Sequence, residues 1–180
     1  RKHLGAAVAL WVGSWLSGVF IVATNAFMQH PVAYSRAADG TLHLESLAGL
    51  LGNPWAWAQY AHNQLAALVT ASFVVSAVGA YWLLQGKHLE DARRNLALGT
   101  TAGLVAALAV AFPTGDLQAK LVARYQPVSL AAMEGRFESG PRASIHLIGQ
   151  PNLKERKLDN PIAVPAVLSF LAFGSLGAEV

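Results

Sequence analysis

The chain has 180 residues, 54% of them apolar and 13% charged, with a formal net charge of +3 and no cysteine. The lack of cysteine excludes disulfides, zinc–thiolate centres and iron–sulfur clusters held by this chain. The slight basic balance comes with no basic–aromatic motif, so no nucleic-acid partner is expected. The apolar residues gather in three blocks, which predicts an all-α membrane protein: a transmembrane helical bundle with an extramembrane loop containing amphipathic helix.

The first block, residues 4–28, exceeds the roughly 20 residues that span a bilayer core. Arg1, Lys2 and His3 precede it, but its length and internal polar residues make it a poor signal peptide. Ser14 and Gly18 are four apart and read as a small-residue helix contact. Ser17, Thr24 and Asn25 add a polar set, read first as interhelical hydrogen bonding and second as a lining for water or protons. No carboxylate lies in any span, so these residues alone do not complete a proton relay. Met28-Gln-His-Pro31 ends the helix, because proline and the residue before it leave helical geometry. Residues 29–54 are expected as an outer loop with a short interfacial helix at Leu47–Leu51. Asn53, before Pro54, is a candidate cap for the next helix.

Residues 55–84 form the second predicted span, with Trp55 and Trp57 at one end and Tyr81 and Trp82 at the other, as aromatic belts require. No formal charge occurs between Glu45 and Lys87, yet the run contains His62. At 1.5 Å per residue His62 lies about 10 Å beyond Trp55. An ionisable group at that depth has a partner or a task, and imidazole's common tasks are proton transfer and metal ligation. The bland alternative is a buried histidine bonded to a neighbouring carbonyl. Ala58, Ala61 and Ala66 are small neighbours that would let a flat macrocycle approach, or that simply pack helices. No second histidine follows at i+3, i+4 or i+7. Haem iron needs only one or two axial ligands, which distant helices can supply. Met28 and Met133 are poor local partners. His3 and His88 read as solvated flanking residues, His43 and His146 carry no signal, and His30 is an unremarkable helix-end residue.

Residues 85–94 form a short basic loop, and residues 95–113 a third span near the minimum length, with Gly99 and Gly103 again four apart. The positive-inside rule places Arg1 and the Lys87–Arg94 loop in the cytoplasm and His62 in the outer half of the bilayer. Residues 114–180 are expected as an outer extramembrane segment. In it Leu117, Leu121 and Tyr125, then Leu130, Met133 and Phe137, suggest an amphipathic helix kinked at Pro127 and resting on the membrane or the bundle top. Ile162 to Phe173 is apolar but interrupted by Pro165, and is expected to be re-entrant or interfacial.

Several stretches together resemble subunit I of the cytochrome bd-type quinol oxidases. Gly13-Ser-Trp-Leu-Ser-Gly-Val-Phe-Ile-Val-Ala-Thr-Asn-Ala-Phe-Met-Gln-His-Pro31 resembles that family's fourth span. Gln59-Tyr-Ala-His-Asn63 and Val69-Thr-Ala-Ser-Phe73 resemble its fifth. Gly115-Asp-Leu-Gln-Ala-Lys120, Gln126-Pro127 and Leu130-Ala-Ala-Met-Glu134 resemble the opening of its quinol loop. The resemblance covers nearly the whole chain. It implies a bacterial cytoplasmic (inner) membrane protein, multi-pass, oxidising quinol at the outer face and reducing dioxygen to water with cytoplasmic protons. It implies low-spin haem b at His62, with a further haem b and haem d elsewhere in the full subunit. The implied partners are quinol, dioxygen, subunit II, the remainder of subunit I and membrane lipid. The chain is expected to be an internal piece, about the fourth to sixth helices and the start of the quinol loop. The methionine that would pair with His62 and the other haem ligands would then lie outside it. No catalytic residue is assigned. The rival reading is a helical membrane scaffold or transporter segment whose histidine is structural and holds no haem.

Overall fold

The computed structural model describes residues 2–180, which form two compact units, divided between Gly115 and Asp116. Three helical stretches are long and apolar enough to cross a membrane: Lys2–Gln29, Pro54–Leu84 and the one that starts at Leu89. Together they make this a mostly helical membrane protein.

In the first unit, helix α1 (Lys2–Gln29) is apolar on all sides, the pattern of a helix whose surroundings are lipid or other helices. Its buried residues are only Ala23 and Ala26, while Trp11, Phe20 and Ile21 stay exposed. The loop after Pro31 contains an element the sequence did not announce. Strands β1 (Tyr34–Arg36) and β2 (Leu42–Leu44) pair antiparallel, with Tyr34 opposite Leu44. Asp39 organises their turn by accepting from the Thr41 N–H at 3.0 Å and the Thr41 hydroxyl at 2.7 Å. Helix α2 (Leu47–Leu51) follows, with Ser46 Oγ accepting from Gly49 N at 2.8 Å. The short helix expected at Leu47–Leu51 is therefore present.

Helix α3 (Pro54–Leu84) opens as its sequence requires. Pro54 occupies the first turn, where its missing N–H costs nothing, and Asn53 Oδ1 accepts from Trp55 N at 3.0 Å. After the 85–88 connection, α4 (Leu89–Ala109) packs back along α3. Small residues make that approach close. Gly99 stands against Ser72 and Ser76, and Gly103 against Ser72 and the Phe73 ring. A Cβ at Gly99 would collide with Ser72 O and Ser76 Oγ, so the expected glycine contact is a direct backbone approach between α3 and α4.

Beyond Ala109 the helix does not continue regularly. A π-helical turn spans Val110–Gly115 with Pro113 inside it. Pro113 has no N–H to give to the carbonyl four residues back, and its ring crowds that carbonyl, so the backbone widens there.

In the second unit, α5 (Asp116–Tyr125) and α6 (Pro127–Met133) are separated by Gln126, so the break expected at Pro127 is real. Of the expected stripe, Leu130 is the residue that enters the unit's own core. Ala123 and Leu130 join Ala143, Leu168 and Ala172 in a small core, whereas Leu117, Tyr125 and Met133 are exposed. A second unexpected hairpin follows: β3 (Ile145–Asn152) pairs antiparallel with β4 (Lys157–Val164). Pro151 and Pro161 lie within it. A two-stranded ribbon has only edge strands, so proline is tolerated there. The Leu158 side chain lies directly over Gly149. The apolar stretch from Ile162 divides between the end of β4 and helix α7 (Val167–Phe173), whose Leu168 and Ala172 line the core. Ser169 is fully buried and satisfied, donating to Ala178 O at 2.6 Å and accepting from Ala143 N at 2.8 Å.

Candidate functional site

His62 sits two turns into α3 and is half-buried. One turn either side of it, Ala58 is buried and Ala66 half-buried, while Ala61 is exposed. Because α4 runs back antiparallel to α3, the end of α4 returns to the level of His62. The residue it delivers there is Thr114, whose Oγ1 is 3.1 Å from His62 Nδ1.

The proton arrangement follows from counting donors. Thr114 Oγ1 is 3.1 Å from Ala109 O and 3.3 Å from Val110 O, as well as 3.1 Å from the imidazole. The hydroxyl carries one proton. Directed at a carbonyl, it leaves its oxygen to accept from a protonated Nδ1, and two bonds form. Directed at Nδ1, it forms one. The first arrangement assigns the neutral ring the Nδ1–H tautomer and leaves a lone pair on Nε2. No hydrogen bond to Nε2 occurs among the described residues. A histidine held this way can give Nε2 to a metal, with a hydroxyl at its other nitrogen where ligating histidines commonly have a carboxylate, a carbonyl or water. Small neighbours and a bare Nε2 together fit a planar iron macrocycle.

Spacing along α3 carries no sign of Thr114, which comes from beyond the end of the next helix. The available signal was Pro113-Thr-Gly115 at the end of the third apolar block, at about the same distance from the 85–88 connection as His62. Gly115 belongs to the device. The wide turn brings its Cβ position within 2.7 Å of Val110 O, and 3.8 Å from His62 Cε1. Any side chain there would force the turn apart.

The remaining candidates are elsewhere. His30 stacks obliquely near Trp55, with ring centroids 5.9 Å apart, and its carbonyl accepts from Asn53 Nδ2. His43 Nε2 bonds Thr41 Oγ1, His88 lies near the Trp82 ring, and His146 Nδ1 bonds Glu134 O at 2.7 Å. Met28 and Met133 are both exposed. No cluster of three or more histidine or carboxylate groups capable of holding a metal exists among the described residues. The polar set on α1 divides. Asn25 Nδ2 donates to Gln59 Oε1 at 3.2 Å, and Gln59 Nε2 donates to Gln29 Oε1 at 3.1 Å, whereas Ser17 is exposed. Gly18 meets the Tyr60 ring, and Tyr60 OH donates to Trp15 O at 2.9 Å.

Residues 1–180 match the family described as Cytochrome bd terminal oxidase subunit I. The chain is 32% identical to the cytochrome bd ubiquinol oxidase subunit 1 of Bacillus subtilis (strain 168), covering 97% of this chain and 38% of that protein. It is 33% identical to the cytochrome bd-II ubiquinol oxidase subunit 1 of Escherichia coli (strain K12), covering 99% of this chain and 35% of that protein. Among solved structures, it matches a chain of the bd oxidase from Geobacillus thermodenitrificans with a TM-score of 0.82 and 30% identity, over 99% of this chain and 41% of the other. The chain thus spans well under half the length of these relatives.

Proposed function

The chain belongs to the cytochrome bd terminal oxidase subunit I family, and from that premise we propose that it is part of a quinol:oxygen oxidoreductase in which His62 is an axial ligand of low-spin haem b. Bound there, the haem would pass single electrons from quinol toward the oxygen site. His62 contributes the Nε2 lone pair. Thr114 Oγ1 accepts the opposite N–H and holds the ring plane, and Ala58 and Ala66 leave room beside the ring. The other haem b, haem d, the second axial ligand and subunit II come from the assembled enzyme, which couples quinol oxidation to reduction of dioxygen to water.

The orientation completes the proposal. The 85–88 connection and the start of α4 as far as Arg94 are cytoplasmic, and residues 116–180 lie on the outer side of the bacterial inner membrane, where they begin the quinol loop. This puts His62 in the outer half of the bilayer, close to where quinol delivers electrons.

The observation that carries the ligand assignment is the 3.1 Å approach of His62 Nδ1 to Thr114 Oγ1: with the hydroxyl proton on a carbonyl, Nδ1–H is the donor and Nε2 is the nitrogen left for a metal. The test is His62→Ala in the full-length enzyme, read by reduced-minus-oxidised spectra. The expected result is loss of the low-spin haem b band in assembled protein. An unchanged band would leave His62 as a structural histidine of a helical scaffold.

A further inference from the structure

We infer that Thr114 is a positioning residue that sets the ring orientation and donor strength of His62; the inference rests on the reading of His62 as an iron ligand. In an apolar span an imidazole has no water to fix its tautomer or its rotation about the Cβ–Cγ bond. Here one side chain does both. Thr114 is itself held, because its hydroxyl reaches Ala109 O and Val110 O at 3.1 and 3.3 Å.

The hold is built by three consecutive residues. Pro113 cannot make the α-helical bond to Ala109 O, and the π-helical turn follows. Thr114 then points a β-branched side chain, stiff about its first torsion, at the ring. Gly115 allows the turn to close against Val110 O. Single-turn π segments inside α-helices occur often at functional sites, and this one presents a ligand's outer partner.

The chemistry of the partner matters as much as its place. Thr114 offers a neutral oxygen. It strengthens Nε2 as a donor less than a carboxylate would, and more than no acceptor at all. Removing the acceptor weakens donation to ferric iron, so the reduced form gains relative to the oxidised form and the midpoint potential rises. Ring rotation, now free, alters the electronic asymmetry of the low-spin iron.

The experiment uses the full-length oxidase with Thr114→Val, Thr114→Ser and His62→Ala, each read by redox titration of the low-spin haem b and by its electron paramagnetic resonance spectrum. Thr114→Val is expected to raise the midpoint by the equivalent of about a three- to tenfold change in the reduced:oxidised ratio, tenfold being about 59 mV for one electron, and to shift the low-spin g values. Thr114→Ser keeps the acceptor and is expected to stay near the parent in both readouts. Loss of haem in Thr114→Val with retention in Thr114→Ser also supports the inference. If His62→Ala removes the low-spin signal while Thr114→Val leaves midpoint and g values unchanged, the ligand reading stands and the positioning role is overturned. Equal displacement in the Val and Ser variants overturns it too, since the hydroxyl would then not be what matters. Retention of the signal in His62→Ala overturns the ligand reading itself.

Discussion

Asn25 on α1 donates its amide to Gln59 Oε1 on α3 across 3.2 Å, and Gln59 passes the interaction on to Gln29 at 3.1 Å. Gln59 is 9% exposed, in a helix with no formal charge, so its amide depends on protein partners. Gln59→Leu is expected to destabilise the α1–α3 contact by about 0.6–1.7 kcal/mol, the range for hydrogen bonds between membrane helices. Asn25→Leu should cost a similar amount, and the double variant less than the two losses added together. A thermal-melt double-mutant cycle on the detergent-solubilised enzyme checks this; strict additivity would mean the residues do not interact.

The α3–α4 contact is less forgiving. A methyl group at Gly99 meets the Ser72 carbonyl, the Ser76 hydroxyl and the Ser76 backbone N, and the two backbone atoms cannot move without their helix. Gly99→Ala is expected to cost about 1–3 kcal/mol, the range for overpacking, and to lower the yield of assembled enzyme. Ala102→Leu, at an exposed position of the same helix, is the control and should assemble normally.

Asp39 supplies a pH-dependent element in the β1–β2 turn. Its carboxyl is held below the ordinary aspartate value, first by the Thr41 backbone N–H and then by the Thr41 hydroxyl. A carboxyl lowered on folding stabilises the turn above its unfolded value, and the contribution is lost as pH falls through the lower folded value. The window therefore lies below the ordinary aspartate value of 3.8, so this carboxyl adds no pH dependence in the neutral range. Carbon-13 NMR titration of the Asp39 carboxyl should give a midpoint below 3.8, and Thr41→Val should move it upward. A midpoint at or above that value would remove the turn from this account.

How much of this was legible in the sequence depends on the range of the interaction. The Leu47–Leu51 helix, the Asn53 cap and the Gly99–Gly103 contact are local or periodic, and residue spacing revealed each. The β1–β2 hairpin escaped because three-residue strands are too short for alternation to register, although Asp39-Gly40 is a turn signal. The β3–β4 hairpin escaped because Pro151 and Pro161 argue against strands, an objection that fails in a ribbon made only of edges. On α5 the stripe of large side chains is periodic, whereas the small Ala123, which joins the core of the second unit, carries no such signal. His62 stood out by depth alone. Thr114 did not, because it comes from the far end of the next helix, and only the antiparallel return of α4 brings the two together.

The proposed orientation has its own test. The chain has no cysteine, so single cysteines can be introduced cleanly. Ser139 and Gln85 are both exposed. In intact cells, Ser139→Cys in the full-length protein is expected to react with an impermeant maleimide, and Gln85→Cys only after permeabilisation. The reverse pattern would put His62 in the inner half of the bilayer, away from outer-face quinol.

Gly115 tests whether the π-helical turn itself matters, separately from the Thr114 hydroxyl. A Cβ there lies 2.7 Å from Val110 O, too close for carbon and oxygen, but 3.8 Å from His62 Cε1, an ordinary contact. Gly115→Ala therefore leaves the imidazole untouched and strains the backbone that carries Thr114. Relief requires Val110 O to move, and Val110 O is one of the two carbonyls that hold the Thr114 hydroxyl. The expected outcome is a shift of the low-spin haem b spectrum and midpoint in the same direction as Thr114→Val, with Thr114 still present. Pro113→Ala should act from the other side. It restores an N–H that can bond Ala109 O, competes with the Thr114 hydroxyl for that carbonyl, and draws the wide turn back toward regular α-helix. Redox titration of both variants in the full-length enzyme is the measurement. Parent-like midpoints in both would mean that His62 keeps its orientation without the turn.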